Sequence, residues 1–226
     1  MTWVKICGTT NLRDAQISIA AGANALGFIF APSPRRIDVE TAAEIIATLR
    51  GQAEMIGVFV NETPEHVAKV AEQVGLTGIQ LQGDEPAASL AEVRRSLGEC
   101  KSIKTLHPNE LLSDGTGILS EYLSVRDNFD AILLDSGSAQ QRGGTGVSYN
   151  WDQALPIAEQ IRKSMPLIIA GGLNAGNVAR AIEMFDPWGV DVVSGVERHL
   201  GEKDETMVKE FIAAVRHVPA SVRLRS

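Results

Sequence analysis

Short apolar runs alternate with longer segments of helical periodicity along this chain, and eight such alternations limit what it can fold into. The strand candidates are WVKIC (3–7), ALGFIF (25–30), MIGVFV (55–60), GIQLQ (78–82), KSIKTL (101–106), AILLD (131–135), LIIA (167–170) and VDVVSG (190–195). Most are rich in Val, Ile and Leu, as expected of parallel strands buried on both faces. Helical segments fill the gaps. Asn11 is placed to cap LRDAQISIAA, with Gly22 past its end, and Asp38 to cap VETAAEIIATLR before Gly51. Thr63 with Pro64 opens PEHVAKVAEQV before Gly75, and Pro86 opens AASLAEVRRSL before Gly98. Residues 109–126 read as a weaker helix interrupted by SDGTG. Trp151 to Ser164 is periodic, and Pro156 is expected to kink that helix or mark its true start. Asn174 is placed to cap AGNVARAIEMF, and Asp204 to cap ETMVKEFIAAVRHV.

Eight βα units in 226 residues predict a single-domain α/β fold, the (β/α)₈ TIM barrel, over residues 1–218. The remainder, PASVRLRS (219–226), reads as a frayed tail. An open doubly wound sheet is the alternative. It normally uses about five or six strands and carries a glycine-rich fingerprint after the first, whereas Cys7 is followed by GTTNL.

The net charge of −7 argues against a general nucleic-acid binder, because phosphate backbones recruit basic surfaces. A small anion held by a few local donors remains compatible with it. No apolar run approaches the roughly 18 residues that would cross a membrane. The amino terminus lacks the basic and apolar regions of a secretory signal. The two cysteines, Cys7 and Cys100, show no metal-ligand spacing or disulfide framework, and the four histidines are scattered. A reducing cytoplasmic setting with no structural metal follows as the expectation.

In such barrels the active site forms at the carboxyl ends of the strands. Those ends offer Cys7, Arg35 and Arg36, Asn61, Gln80 and Gln82, His107, Asp135, AGGLN and SGVE. Gly171 and Gly172 lie between a strand and a helix, and Ser194 and Gly195 follow the neighbouring strand. Relief of a tight turn would account for one Gly-Gly pair. Two small-residue turns on adjacent strands favour a phosphate cradle of backbone N–H groups, helped by a helix dipole. Side chains alternate along a strand, so Lys5 and Cys7 point into the barrel while Val4 and Ile6 face the helices. The same parity turns Asp135 inward. Free cysteine is commonly an inert buried hydrophobe, which describes Cys100; the inward rim position sets Cys7 apart. Lys5 would be a costly buried charge without a partner, and Asp191 on the adjoining strand can supply one. The prolines of APSPRR stiffen a loop whose arginine could grip a carboxylate.

Taken together, VKICGTTNLRDA, GFIFAPSPRRI, GVFVN, IQLQGDEP, ILLDS, GGTG, AGGLNAGNV and DVVSGVE resemble, in that order, phosphoribosylanthranilate isomerase of tryptophan biosynthesis. The resemblance covers nearly the whole chain. It implies an Amadori rearrangement of a phosphorylated small-molecule substrate, with no cofactor and with a monomer or weak homodimer as the assembly. It implies Cys7 as general base, Asp135 as general acid and Arg35 as the grip on the anthranilate carboxylate. Gly171, Gly172, Asn174, Ser194 and Gly195 would hold the phosphate, with Lys5, Asp191 and Gln82 in support. Lys5 is expected to favour the thiolate of Cys7. The segment NELLSDGTGILSEYLSV looks longer than is usual in the family, on the helix side of the barrel, and two single positions also depart. The family often has histidine where this chain has Gln82, and lysine after GGTG where it has Val147. A related barrel such as indoleglycerol-phosphate synthase would need lysine and glutamate at its catalytic strand ends. The histidine-pathway isomerase resembles two half-barrels and uses paired aspartates. A non-catalytic phosphate-binding barrel would have no use for Cys7, Arg35 and Asp135 together.

Overall fold

The computed structural model describes residues 1–113, 117–136 and 150–218. Eight parallel strands close into a barrel in sequence order, and β1 (Trp3–Ile6) pairs with both β2 (Ala25–Ile29) and β8 (Gly189–Val192). Between them stand β3 (Glu54–Phe59), β4 (Gly78–Leu81), β5 (Lys101–Leu106), β6 (Ala131–Leu134) and β7 (Leu167–Ile169). Strand parity divides the core in two. Val4, Ile6, Leu26, Phe28, Ile79, Leu81, Ile132, Leu134 and Ile169 face outward and pack under the helices. Trp3, Ala25, Ile56, Ile103, Ala131, Leu133 and Ile168 fill the barrel. The filling is apolar toward the amino-terminal end of the barrel and turns polar toward the mouth, where Lys5, Gln80, Thr105 and Asp191 are buried.

The helices form where caps and apolar stripes agree. In α1 (Leu12–Ala21) the Asn11 side chain accepts from the Asp14 N–H, and Gly22 ends the helix in the left-handed region. Asp38 caps α2 (Val39–Thr48) through the Thr41 N–H, and Thr63 with Pro64 starts α3 (Pro64–Val74). Pro86 precedes a 3₁₀ turn, Ala87–Ser89, so that α4 (Leu90–Leu97) starts later than the sequence predicts. The weak helix over 109–126 is two short ones among the described residues, α5 (Pro108–Ser113) and α6 (Gly117–Ser124), followed by a 3₁₀ turn. Helix α7 (Trp151–Arg162) starts at Asn150, whose side chain accepts from the N–H groups of Asp152 and Gln153, and it runs through Pro156. Asp204 caps α9 (Glu205–His217).

Two expectations are corrected here. Asn174 does not cap the eighth helix directly: α8 (Val178–Phe185) begins after Asn177. The Asn174 carboxamide instead accepts from the Gly176 N–H, closing a local turn that consumes the intervening residues. The run VDVVSG does not stay extended either. It leaves the sheet after Val192 and forms a 3₁₀ turn, Ser194–Val196, then a small hairpin of β9 (Glu197–His199) and β10 (Glu202–Lys203). The GGTG segment, Val147 and the tail 219–226 lie outside the described residues.

Candidate active site

A cavity of about 210 Å³ opens at the carboxyl ends of the strands. Its lining includes Cys7, Ile29, Arg35, Val58, Gln80, Gln82, Asp135, Asp191 and Val193, drawn from six strands or the loops just past them. A thiol, a carboxyl group and a guanidinium, distant in sequence, therefore face one space. A narrow extension of about 20 Å³ shares Asp135, Asp191 and Val193 and adds Ala170, Gly171, Gly172, Leu173 and Val192.

Cys7 owes its position to the neighbouring strand. A Cβ added to Gly27 would lie 2.4 Å from the Cys7 sulfur and 3.0 Å from its Cα, so the sulfur occupies the space that a side chain on β2 would take. Gly27→Ala is therefore expected to displace the sulfur at a cost of about 1–3 kcal/mol in stability. Activity should fall roughly a hundredfold, since reacting groups misplaced by about 1 Å lose that much. Steady-state kinetics alongside thermal melts would check this, and an alanine variant with full activity would contradict it.

Lys5 lies at the base of the site, fully buried. Its ammonium donates to Asp191 Oδ1 at 3.0 Å and to Gln80 Oε1 at 2.8 Å. Burial works against its charge, but the Asp191 carboxylate and then Cys7 outweigh it, and its pKa is held above the usual lysine range. The thiol responds differently. Burial pushes the Cys7 pKa up, and Lys5 opposes that without overcoming it. Lys5 favours the thiolate, the sign expected of it, but desolvation is larger.

Arg35 is inward and buried, whereas Arg36 is exposed. One edge of the Arg35 guanidinium is already engaged: Nε donates to Glu197 Oε1 at 2.8 Å and Nη2 to Oε2 at 2.7 Å. Glu197 also accepts from the buried Lys203, whose ammonium donates to the carbonyls of Cys7 at 2.6 Å and Val193 at 3.1 Å. Burial alone would raise the Glu197 pKa, but Arg35 and Lys203 hold it below the usual carboxylate range. This Arg35–Glu197–Lys203 network ties the second loop to the eighth and to the end of β1. In the sequence Glu197 stands within SGVE with no evident role, and Lys203 does not stand out at all. The signal available is a carboxylate and a lysine just past strand eight, near an arginine loop that needs a counter-charge.

Asp135 sits just beyond β6, 6 % exposed, and its Oδ2 accepts from Gln82 Nε2 at 3.0 Å. Gln82 Oε1 in turn accepts from Gln80 Nε2 at 2.6 Å and from the Thr105 hydroxyl at 2.9 Å. At the seventh and eighth loops, Gly171 and Gly172 both take positive φ, of 88° and 66°, which a side chain would strain. A Cβ on Gly195 would lie 1.9 Å from the Leu173 carbonyl oxygen, so these two loops are in direct backbone contact. Ser194 and Gly195 open the 3₁₀ turn beside Val193, and Asn174 lies one residue past the extension.

Other strand-end residues serve the scaffold. The Asn61 carboxamide accepts from the Asp84 N–H, and Glu85 accepts from the Asn61 N–H and from buried Lys104. His107 Nδ1 lies 3.2 Å from the Asp135 carbonyl oxygen. Cys100, outside the cavity, donates its S–H to the Leu76 carbonyl. Among the described residues no cluster of three His, Cys, Asp or Glu could hold a metal ion, and no helix is long and apolar enough to cross a membrane.

Comparison with known proteins gives a consistent result. The family model of N-(5'phosphoribosyl)anthranilate (PRA) isomerase matches residues 4–214. An N-(5'-phosphoribosyl)anthranilate isomerase from Rubrobacter xylanophilus is 39% identical over 217 residues, 96% of this chain and 100% of that protein. The crystal structure of phosphoribosyl anthranilate isomerase from Thermotoga maritima is similar with a TM-score of 0.80 at 39% identity, covering 96% of this chain and 99% of that one. A solved complex of the isomerase with reduced 1-(o-carboxyphenylamino)-1-deoxyribulose 5-phosphate is similar with a TM-score of 0.76 at 37% identity, with the same coverage.

Proposed function

The chain belongs to the N-(5'-phosphoribosyl)anthranilate isomerase family, and from that premise we propose that Cys7 and Asp135 carry its aldose–ketose isomerisation as base and acid. The reaction converts N-(5-phosphoribosyl)anthranilate to 1-(2-carboxyphenylamino)-1-deoxyribulose 5-phosphate. Asp135 gives a proton to the furanose ring oxygen, the C1–O bond breaks toward that oxygen, and the anthranilate nitrogen supplies electrons to form an iminium ion. The cation acidifies the proton on C2. Cys7 as thiolate removes it, the C2–H electrons neutralise the iminium, and the resulting enolamine tautomerises to the ketone.

The observation that carries this reading is that Cys7, Asp135 and Arg35 line one cavity. The thiol gives its own proton to solvent before it can take the one on C2, and the cationic intermediate beside it favours the thiolate so formed. With one edge of Arg35 on Glu197, the remaining N–H groups of the guanidinium are assigned to the anthranilate carboxylate. The phosphate is assigned to Gly171, Gly172, Asn174, Ser194 and Gly195, where loops seven and eight meet. A cytoplasmic monomer or weak homodimer completes the proposal, and sedimentation velocity would test the assembly.

Incubation with phosphoribosylanthranilate should extinguish the substrate's fluorescence; a protein that binds it without this decay would overturn the catalytic reading. Arg35→Ala should raise KM about ten- to a hundredfold, the worth of a hydrogen-bonded charge, with a smaller change in kcat. A substrate analogue without the carboxylate should be indifferent to that change, and equal sensitivity would refute the grip.

A further inference from the structure

We propose that Gln80 and Gln82 are positioning residues that form a one-way hydrogen-bond relay from Lys5 to Asp135 and thereby decide which oxygen of Asp135 carries the transferable proton. The proposal rests on the reading of Asp135 as the proton donor.

The direction of the relay is set by its first member. A lysine ammonium has donors only. Lys5 Nζ donates to Gln80 Oε1 at 2.8 Å, so the other end of that carboxamide is its NH₂. That NH₂ donates to Gln82 Oε1 at 2.6 Å. Thr105 Oγ1 donates to the same Gln82 oxygen at 2.9 Å, a hydroxyl adapting to the polarity that Lys5 sets. The Gln82 NH₂ is then left to face Asp135, and it donates to Oδ2 at 3.0 Å. Turning Gln80 over would set its NH₂ against the Lys5 ammonium, and turning Gln82 over would set its NH₂ against that of Gln80, all three residues being buried. In a low-dielectric interior that arrangement is strongly disfavoured.

The consequence falls on Asp135. An oxygen accepting an N–H bond does not hold its proton along the same line, so the acid proton is assigned to Oδ1. The Gln82 N–H also stabilises the carboxylate that remains once the proton has gone to the ring oxygen. Gln82 thus acts on the first chemical step and not on the proton removal at C2. Gln80 touches neither Asp135 nor the cleaved bond and acts only through Gln82. A histidine in place of Gln82 could reproduce the polarity, because a neutral imidazole accepts on one nitrogen and donates from the other.

The test uses the purified full chain with phosphoribosylanthranilate, either unlabelled or deuterated at C2 of the ribose. Gln82→Leu should lower kcat about ten- to a hundredfold with KM nearly unchanged. Its C2 isotope effect should shrink toward unity, because ring opening becomes rate-limiting. Gln80→Leu should show a smaller fall with the same isotopic signature, and Gln82→His should recover most of the rate. A wild-type kcat in Gln80→Leu would overturn the relay, as would an undiminished isotope effect in Gln82→Leu or a histidine variant no better than leucine. Asp135→Asn, measured in parallel, separates the two readings. If it alone is inactive, the relay fails and the acid stands; if it is active, the acid assignment itself fails.

Discussion

Cys7→Ala is expected to lower kcat by about 10²–10⁴-fold while KM changes little, the usual worth of a positioned general base. Cys7 is 3 % exposed, and its sulfur lines the cavity and fills the notch left by Gly27, so truncation leaves the scaffold in place and removes the group that meets the C2 proton. Cys7→Ser separates basicity from volume: a hydroxyl is nearly isosteric but far less acidic than a thiol, so serine should be almost as inactive as alanine. Proton removal becomes rate-limiting in both, and substrate deuterated at C2 should show a full primary isotope effect. The raised thiol pKa has its own consequence, with the sign running one way. Because burial favours the protonated thiol, alkylation of Cys7 in the free enzyme should be slow at neutral pH. It should climb roughly tenfold per pH unit beyond the range in which an ordinary thiol levels off. Replacing Lys5 by methionine removes the cation that opposes burial and should shift that curve further upward. Wild-type turnover in Cys7→Ala would end the assignment of this residue as base.

Much of the barrel was legible in the sequence, because buried parallel strands announce themselves as β-branched apolar runs and helices as capped amphipathic stripes. Asn11, Asp38, Thr63 and Asp204 all cap the helices they precede in sequence. Period-two parity was enough to turn Lys5 and Cys7 inward and Val4 and Ile6 outward. What could not be read depends on paths through space. Arg35 meets Glu197 because a 3₁₀ turn and a hairpin after β8 bring that carboxylate back across the mouth, and nothing local to either residue encodes the meeting. The relay through Gln80 and Gln82 crosses the barrel interior from β1 to β4 and on to the end of β6, strands that do not pair with one another, so each glutamine alone looks like a generic polar strand end. Asn174 misleads for a chemical reason: the same short carboxamide that caps helices also closes turns, and the backbone ahead of α8 takes the turn. The resting state of Cys7 escapes sequence reading because a nearby cation is visible in a sequence and the depth of burial is not.

Asp135→Asn should be comparably severe, a fall in kcat of about 10²–10⁴-fold. The variant is close to isosteric, and its orientation is determined by its surroundings. The Gln82 NH₂ needs an acceptor, so the carbonyl oxygen of the introduced carboxamide takes the place of Oδ2 and its NH₂ takes the place of the protonated oxygen. The substituted group can then donate a hydrogen bond toward the ring oxygen but cannot surrender a proton to it. Binding should therefore survive and ring opening should fail. The isotopic behaviour should be the reverse of that in Cys7→Ala: with ring opening rate-limiting, deuterium at C2 makes almost no difference to Asp135→Asn. Two variants with similar losses and opposite isotope effects would assign the acid to one step and the base to the other. If both showed the full isotope effect, Asp135 would be assisting proton removal at C2, and another group would have to open the ring.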